Sequence, residues 1–293
     1  WDEVLYAEEG SAIGQEGLAA NVPLILGPGC NIKRNPLGGR NFEYLSEDPY
    51  AAGKMAAAFI RGMQSTGASA SLKHFAANSQ EYKRMNGDSQ MDERTLREIY
   101  LSAFELAVQE GHPATVMCAY NKINGEHCSD SKMLLTDILR SDWGFDGLVV
   151  TDWGAMNDRI KAFQAGCDLN MPGGSDYMEQ AVLRAVQNGT LSEADIDASV
   201  ERILRLVERA GNARPVSVDW DGHHALAQRV AEQGAVLLKN EDGLLPISGQ
   251  DIVLIGYMAK DIRYQGSGSS HINPTRLVSL MDAMPDAPFV ACC

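Results

Sequence analysis

The sequence predicts an α/β fold built from parallel strands, and two observations predict it. Short apolar runs alternate with amphipathic stretches at helical spacing along most of the chain, which is the pattern of successive β/α units. Each apolar run is followed by a polar or glycine-rich segment: GPGCN, KHFAANSQE, YNKINGE, DWGAMND and MPGG in turn. In a β/α barrel such segments gather at the C-terminal rim, where active sites form. An open doubly wound sheet would place them similarly, so the pattern alone fits both.

The chain opens at Trp1 on a helix-like stretch. Strands are expected over 23–26, 68–72, 115–119, 147–151 and 167–170, and helices over 49–65, 92–110, 131–142, 157–165 and 176–188. The second of these helices is the clearest. Leu96, Ile99, Tyr100, Ala103, Phe104 and Ala107 recur at three- and four-residue spacing, and Asp92 suits its N-cap. Pro49 suits a first helical position. A long helix over 193–210 ends a first domain, 1–211. Residues 212–222, with Pro215, read as a linker, and 223–293 begin a second α/β domain. In that domain a helix is expected over 224–240, a turn after Leu244–Ile247, a strand over 252–256 and another in the closing run DAPFVACC. Both ends read as cut from a longer chain.

A length of 293 residues allows a sizeable core. The net charge of -14 argues against nucleic acid or an anionic membrane as partner. No apolar run approaches a membrane span. The six cysteines (Cys30, Cys118, Cys128, Cys167, Cys292 and Cys293) form no CxxC pair, which weakens zinc and thioredoxin-like readings. Mostly reduced thiols are expected, which favours a cytoplasmic setting without fixing it. The histidines are scattered without HExxH spacing, so no metal site is expected.

Four segments hold residues that can do chemistry. VVTDWG delivers Asp152 to the end of a strand beside Trp153. A carboxylate there can attack an anomeric carbon while the indole offers a face to a sugar ring; equally, Asp152 can cap the next helix. KHFAANSQE holds Lys73 and His74, which can bond sugar hydroxyls or form a polar rim, and Lys73 could be a Schiff-base lysine. Arg40, before the helix at Pro49, and Arg84 have a surface ion pair as their ordinary role. Tyr120 could bond Asp152 or pack at the rim. RYQGSGSSHINP, 263–274, lacks the P-loop pattern, and its hydroxyls could touch a polar ligand.

LGPGCNIKRNPLGGRNFEYLSEDP, KHFAANSQE, DERTLREIYLSAFELAV, VMCAYNKING, LLTDILRSDWGFDGLVVTDWGA, LLKNEDGLLP and RYQGSGSSHINPTR occur in this order. Together they resemble the β-glucosidase type of glycoside hydrolase family 3 over nearly the whole chain. The resemblance implies a (β/α)8-type, TIM-like barrel, incomplete at its N-terminus, followed by the start of an α/β sandwich domain. It implies release of terminal non-reducing β-D-glucosyl residues from β-glucosides or oligosaccharides with retention, through a covalent intermediate on Asp152. Arg40, Lys73, His74, Arg84, Met117, Tyr120 and Trp153 would line the sugar subsite, and Ser267 or Ser269 would reach the substrate. Cis peptides around Lys73–Ala76 and the need for no cofactor are further implications, and oligomeric state is not among them. Two features of the family are expected outside this sequence: a DGPxG-like segment with a sugar-binding aspartate, and the acid/base glutamate. A β-xylosidase or α-L-arabinofuranosidase of the same family is the nearest alternative. A Lys73-dependent aldolase and a non-catalytic sugar-binding protein are alternatives from other classes.

Overall fold

The computed structural model describes residues 1–214, 216–247 and 251–292. Pro215 of the expected linker and Cys293 lie outside them. The chain divides into two units, Trp1–Asp219 and Trp220–Cys293.

The first unit begins with α1 (Glu3–Ala19), whose N-cap Asp2 accepts from the Val4 and Leu5 amides. Strand β1 (Leu24–Ile25), α2 (Pro49–Ser65) and β2 (Ser69–Phe75) follow. Pro49 occupies the start of α2 behind the Asp48 cap, where its missing N–H has no partner to lose. Next come the short β3 (Asp88–Ser89), α3 (Glu93–Thr95), a π-helical stretch Leu96–Leu101, and α4 (Ser102–Gly111). Strands β4 (Thr115–Cys118), β5 (Lys122–Ile123) and β6 (Glu126–His127) lead to a second π-helical stretch, Met133–Asp142. Strand β7 (Leu148–Thr151) is followed by α5 (Arg159–Ala165), α6 (Asp176–Gln187) and α7 (Glu193–Asn212).

Strands β1, β2, β4 and β7 form one parallel sheet in that order. The expected strand over 167–170 joins it only through a bridge between Leu169 and Val150. Helices connect neighbouring strands, so the sheet is an arc of barrel wall, open among the described residues. The period of two sorts its side chains. Ala70, Leu72, Val116, Cys118 and Val149 enter the large core shared with α2, α4 and the π-helical stretches. Ser69, Ser71 and Lys73, then Thr115 and Met117, then Leu148, Val150 and Asp152 alternate with them and fall on the other face. There Met117, Leu148 and Val150 pack with Leu169, Met171, Ile203 and Leu206.

One expectation is corrected in detail, and one small sheet was not expected. The helix expected over 92–110 is one path broken by a π-helical segment, because apolar spacing does not distinguish a widened turn from an α turn. The small sheet β3–β5–β6 carries strands of two residues, too short for any alternation to register.

In the second unit, α8 spans Trp220–Gly234, earlier than the 224–240 expected; Gly234, a poor helix former, marks its end. Strand β8 (Leu254–Ile255) pairs in parallel with β9 (Phe289–Val290), and α9 (Leu280–Ala283) lies between them in sequence.

Candidate active site

Because Lys73 and Asp152 share the strand face opposite the core, both emerge at the C-terminal end of the sheet. Asp152 directly follows β7, and its amide donates to the Cys118 carbonyl of β4. The two carboxylate oxygens differ. Oδ1 accepts from the Trp153 amide at 2.6 Å. Oδ2 is buried and makes no hydrogen bond to a protein group. It lies 3.6 Å from Arg40 Nη1 and 3.5 Å from His74 Nε2. The capping alternative for Asp152 is excluded: α5 is capped by Asp158, whose Oδ1 accepts from the Ile160 and Lys161 amides.

Glu43 links the cations. Its Oε1 accepts from Arg40 Nε, and its Oε2 lies 3.1 Å from Lys73 Nζ. A chain Lys73–Glu43–Arg40–Asp152 therefore runs across the rim. Lys73 Nζ is engaged with Glu43, whereas a Schiff-base lysine presents its nitrogen to the substrate carbonyl.

His74 is held from three directions. Asn31 brackets its peptide, donating from Nδ2 to the His74 carbonyl at 2.9 Å and accepting from the His74 amide at 2.8 Å. Tyr44 places its hydroxyl 3.0 Å from Nδ1. Burial, and then the charges of Arg40, Lys73 and Arg84, push His74 well below the ordinary histidine range, so the ring is neutral. The Lys73–His74 and Phe75–Ala76 peptides are both cis, within the segment where the resemblance implied them.

The remaining predicted residues are more peripheral. The Arg84 guanidinium lies 4.4 Å above the Tyr120 ring and pairs with Glu81 at 2.6 Å. Tyr120 donates to the Trp153 carbonyl at 3.0 Å. Burial first, then the charge of Asp152 as a second acceptor within reach, push the Tyr120 phenol up to about 12. Met117 is buried in the apolar cluster, whereas Trp153 is 56% exposed beside Asp152. Ser267 and Ser269 lie in the second unit, on exposed backbone around the short turn Gly268–Ser270.

Sequence reasoning gave no role to Glu43, Tyr44 or Asn31. The first two are adjacent to each other in the run after Arg40, and Asn31 sits in the GPGCN loop; these were the available signals. Among the described residues no group of three or more His, Cys, Asp or Glu is placed to hold a metal ion. No described helix is long and apolar enough to cross a membrane.

Fold and rim together define a β/α-barrel-type protein with an anionic centre at the C-terminal ends of its strands. Residues 1–206 match the Glycosyl hydrolase family 3 N terminal domain and residues 235–288 the Glycosyl hydrolase family 3 C-terminal domain. The chain belongs to glycosyl hydrolase family 3. Thermostable beta-glucosidase B of Acetivibrio thermocellus is 51% identical over 290 residues, covering 98% of this chain and 38% of that protein. Exo-alpha-(1->6)-L-arabinopyranosidase of Bifidobacterium longum is 44% identical, covering 98% of this chain and 39% of that protein. Among solved structures, the family 3 beta-glucosidase of Bifidobacterium adolescentis superposes with a TM-score of 0.93 at 42% identity, covering 99% of this chain and 44% of that one. Beta-glucosidase 3B of Thermotoga neapolitana, solved with alpha-D-glucose, gives 0.92 at 38% identity, over 99% of this chain and 42% of that one. The chain spans about two fifths of the length of these relatives. Its architecture is thus part of a (β/α)8-type barrel followed by α/β elements.

Proposed function

We propose that this chain carries the nucleophile of a retaining β-glucosidase that removes terminal non-reducing β-D-glucosyl residues. The observation that carries the reading is the asymmetry of Asp152, with Oδ1 fixed by a backbone amide and Oδ2 buried, unbonded and facing Arg40 and His74. Oδ2 attacks the anomeric carbon, the bond from that carbon to the aglycone oxygen breaks, and the aglycone takes a proton from a carboxylic acid. Water then attacks the glycosyl ester, giving its proton to the same carboxylate and releasing sugar with retained configuration. Glu43 is a poor candidate for that acid, since both of its oxygens are already committed to Arg40 and Lys73. Trp153 offers its exposed face to the sugar, with Met117, Arg84 and Tyr120 as further candidate lining residues and Ser267 and Ser269 as candidate substrate contacts.

The test is intact-mass analysis of the full-length protein after incubation with a 2-fluoro-β-glucoside bearing a dinitrophenolate leaving group, which departs without protonation. One glycosyl adduct on the peptide holding Asp152, lost in Asp152→Ala, is expected. An adduct on another residue, or none from protein that hydrolyses the parent glucoside, refutes the assignment.

A second reading is an exo-acting arabinopyranosidase, favoured by the 44% identity to the Bifidobacterium longum enzyme. Paired kcat/KM values for nitrophenyl β-glucoside, β-xyloside, α-L-arabinofuranoside and α-L-arabinopyranoside separate these substrate classes.

A further inference from the structure

His74 presents Nε2 to the site, but whether that nitrogen is a donor or an acceptor is decided on the far side of the ring. Tyr44 is 5% exposed and meets His74 edge to face, with ring centroids 5.9 Å apart. Its hydroxyl lies 3.0 Å from Nδ1 and 3.4 Å from the Asn78 carbonyl oxygen. Nε2 is buried, hydrogen-bonds no protein group, and lies 3.5 Å from Asp152 Oδ2, which also lacks a hydrogen bond.

A neutral imidazole carries one N–H, so two arrangements exist. In the first, Nδ1–H donates to the Tyr44 oxygen and the Tyr44 proton turns to Asn78. Nε2 then shows a bare lone pair to the Asp152 carboxylate, and two acceptors face each other away from water. In the second, Tyr44 donates to Nδ1 and the ring proton sits on Nε2, facing the carboxylate. The second sets a donor against an acceptor and uses the shorter of the two Tyr44 contacts. Unpaired acceptors opposed in a buried place are unfavourable, so the second arrangement prevails.

We infer that Tyr44 is a positioning residue that holds His74 in the Nε2–H tautomer, so that the ring offers a hydrogen-bond donor beside Asp152 Oδ2. Asn31 complements it by fixing the peptide on both sides, so ring orientation and tautomer are set by separate contacts. The consequence for catalysis rests on the glucosidase reading. A sugar hydroxyl entering beside Nε2 competes for that N–H, which leaves the Oδ2 lone pair free to attack as substrate settles. The tautomer itself is a property of the free protein and needs no substrate.

The experiment is a long-range proton–nitrogen correlation spectrum of full-length protein labelled with nitrogen-15 histidine, with His74→Asn assigning the signal. The expected wild-type pattern has a protonated Nε2 and an unprotonated Nδ1. In Tyr44→Phe, Nδ1 loses its donor and the Nδ1–H form gains population. The kcat/KM for the dinitrophenyl β-glucoside falls by about 10- to 100-fold, while the melting temperature stays close to wild type. An Nδ1–H tautomer in the wild type overturns the inference, as does a Tyr44→Phe protein with an unchanged tautomer. If Tyr44→Phe does not fold, the wild-type spectrum alone decides. Failure of the glucosidase reading shows separately, as a missing adduct on Asp152 with the tautomer result intact.

Discussion

Replacing Asp168 by Ala probes the device that holds β7, the strand that delivers Asp152. The Asp168 carboxylate is fully buried and accepts four hydrogen bonds. Oδ1 takes Ser199 Oγ at 2.9 Å and Arg202 Nη1 at 2.8 Å; Oδ2 takes the Val149 amide at 2.8 Å and Arg140 Nη2 at 2.9 Å. One carboxylate thereby ties β7 to the π-helical stretch at Met133–Asp142 and to α7. Truncation leaves two guanidiniums facing a backbone N–H. Burial already pushes Arg140 below the ordinary arginine range, and its side chain is only 11% exposed. Removing one partner of a buried ion pair costs about 3–5 kcal/mol, and leaving the amide unpaired adds about 1–3 kcal/mol. Arg202, 23% exposed, recovers part of that in water, so a loss of about 4 kcal/mol is the working figure. At roughly 2–4 °C per kcal/mol for a domain of this size, the melting temperature falls by about 8–16 °C. Calorimetry on the full-length protein measures it, and the double variant Asp168→Ala, Arg202→Ala regains part of the loss because one orphaned charge is gone. A melt within about 2 °C of wild type, or no recovery in the double variant, refutes the reasoning.

Two further outcomes follow from the geometry. His74 ionises below the 6.5 of an unfolded histidine, so under that pH the unfolded chain binds a proton that the folded chain does not. Stability is therefore full above about 6.5 and falls with decreasing pH by up to about 1.4 kcal/mol per unit. Urea unfolding between about pH 7.5 and pH 5 should show a steeper loss in wild type than in His74→Gln, and equal slopes contradict the neutral ring. Where α1 crosses α2, a Cβ at Gly62 would drive into the Ala7 carbonyl oxygen. Gly62→Ala should lose about 1–3 kcal/mol by overpacking; a thermal melt that rises, as helix propensity alone predicts, counts against so tight a crossing.

The alternation of strands and helices was legible because each β/α unit repeats the same periods, two within the strand and between three and four within the helix. That regularity is also why Asp152 and Lys73 could be put at strand ends. Contacts that select one state of a side chain were not legible. Asn31 meets His74 across 43 positions and Tyr44 meets it across 30, and nothing in the local composition of either segment marks such a partner. Asp168 was hidden for a different reason. In the run CDLN it reads as one polar residue in a short strand, whereas its importance comes from Arg140, Ser199 and Arg202, which lie on two other elements. The cap assigned as an alternative to Asp152 belongs to Asp158, because the loop after β7 is longer than a direct strand-to-helix turn.

The two oxygens of Asp152 face opposite requirements. A nucleophilic carboxylate must remain charged, which favours nearby cations, but every strong hydrogen bond to it draws on the lone pairs that must attack. The rim meets both conditions by keeping its cations occupied elsewhere. Glu43 takes Arg40 Nε and Lys73 Nζ, so Arg40 turns a different nitrogen to Oδ2, at an ion-pair distance of 3.6 Å. Charge stabilisation at that range persists because a Coulomb term falls slowly with distance, whereas a hydrogen bond falls steeply. Orientation is supplied by the other oxygen, through the Trp153 amide at 2.6 Å. Glu43 therefore acts on Asp152 without touching it. Glu43→Ala would free both cations, and the freed guanidinium could close on Oδ2 as a direct donor, quenching the lone pair it now only steadies.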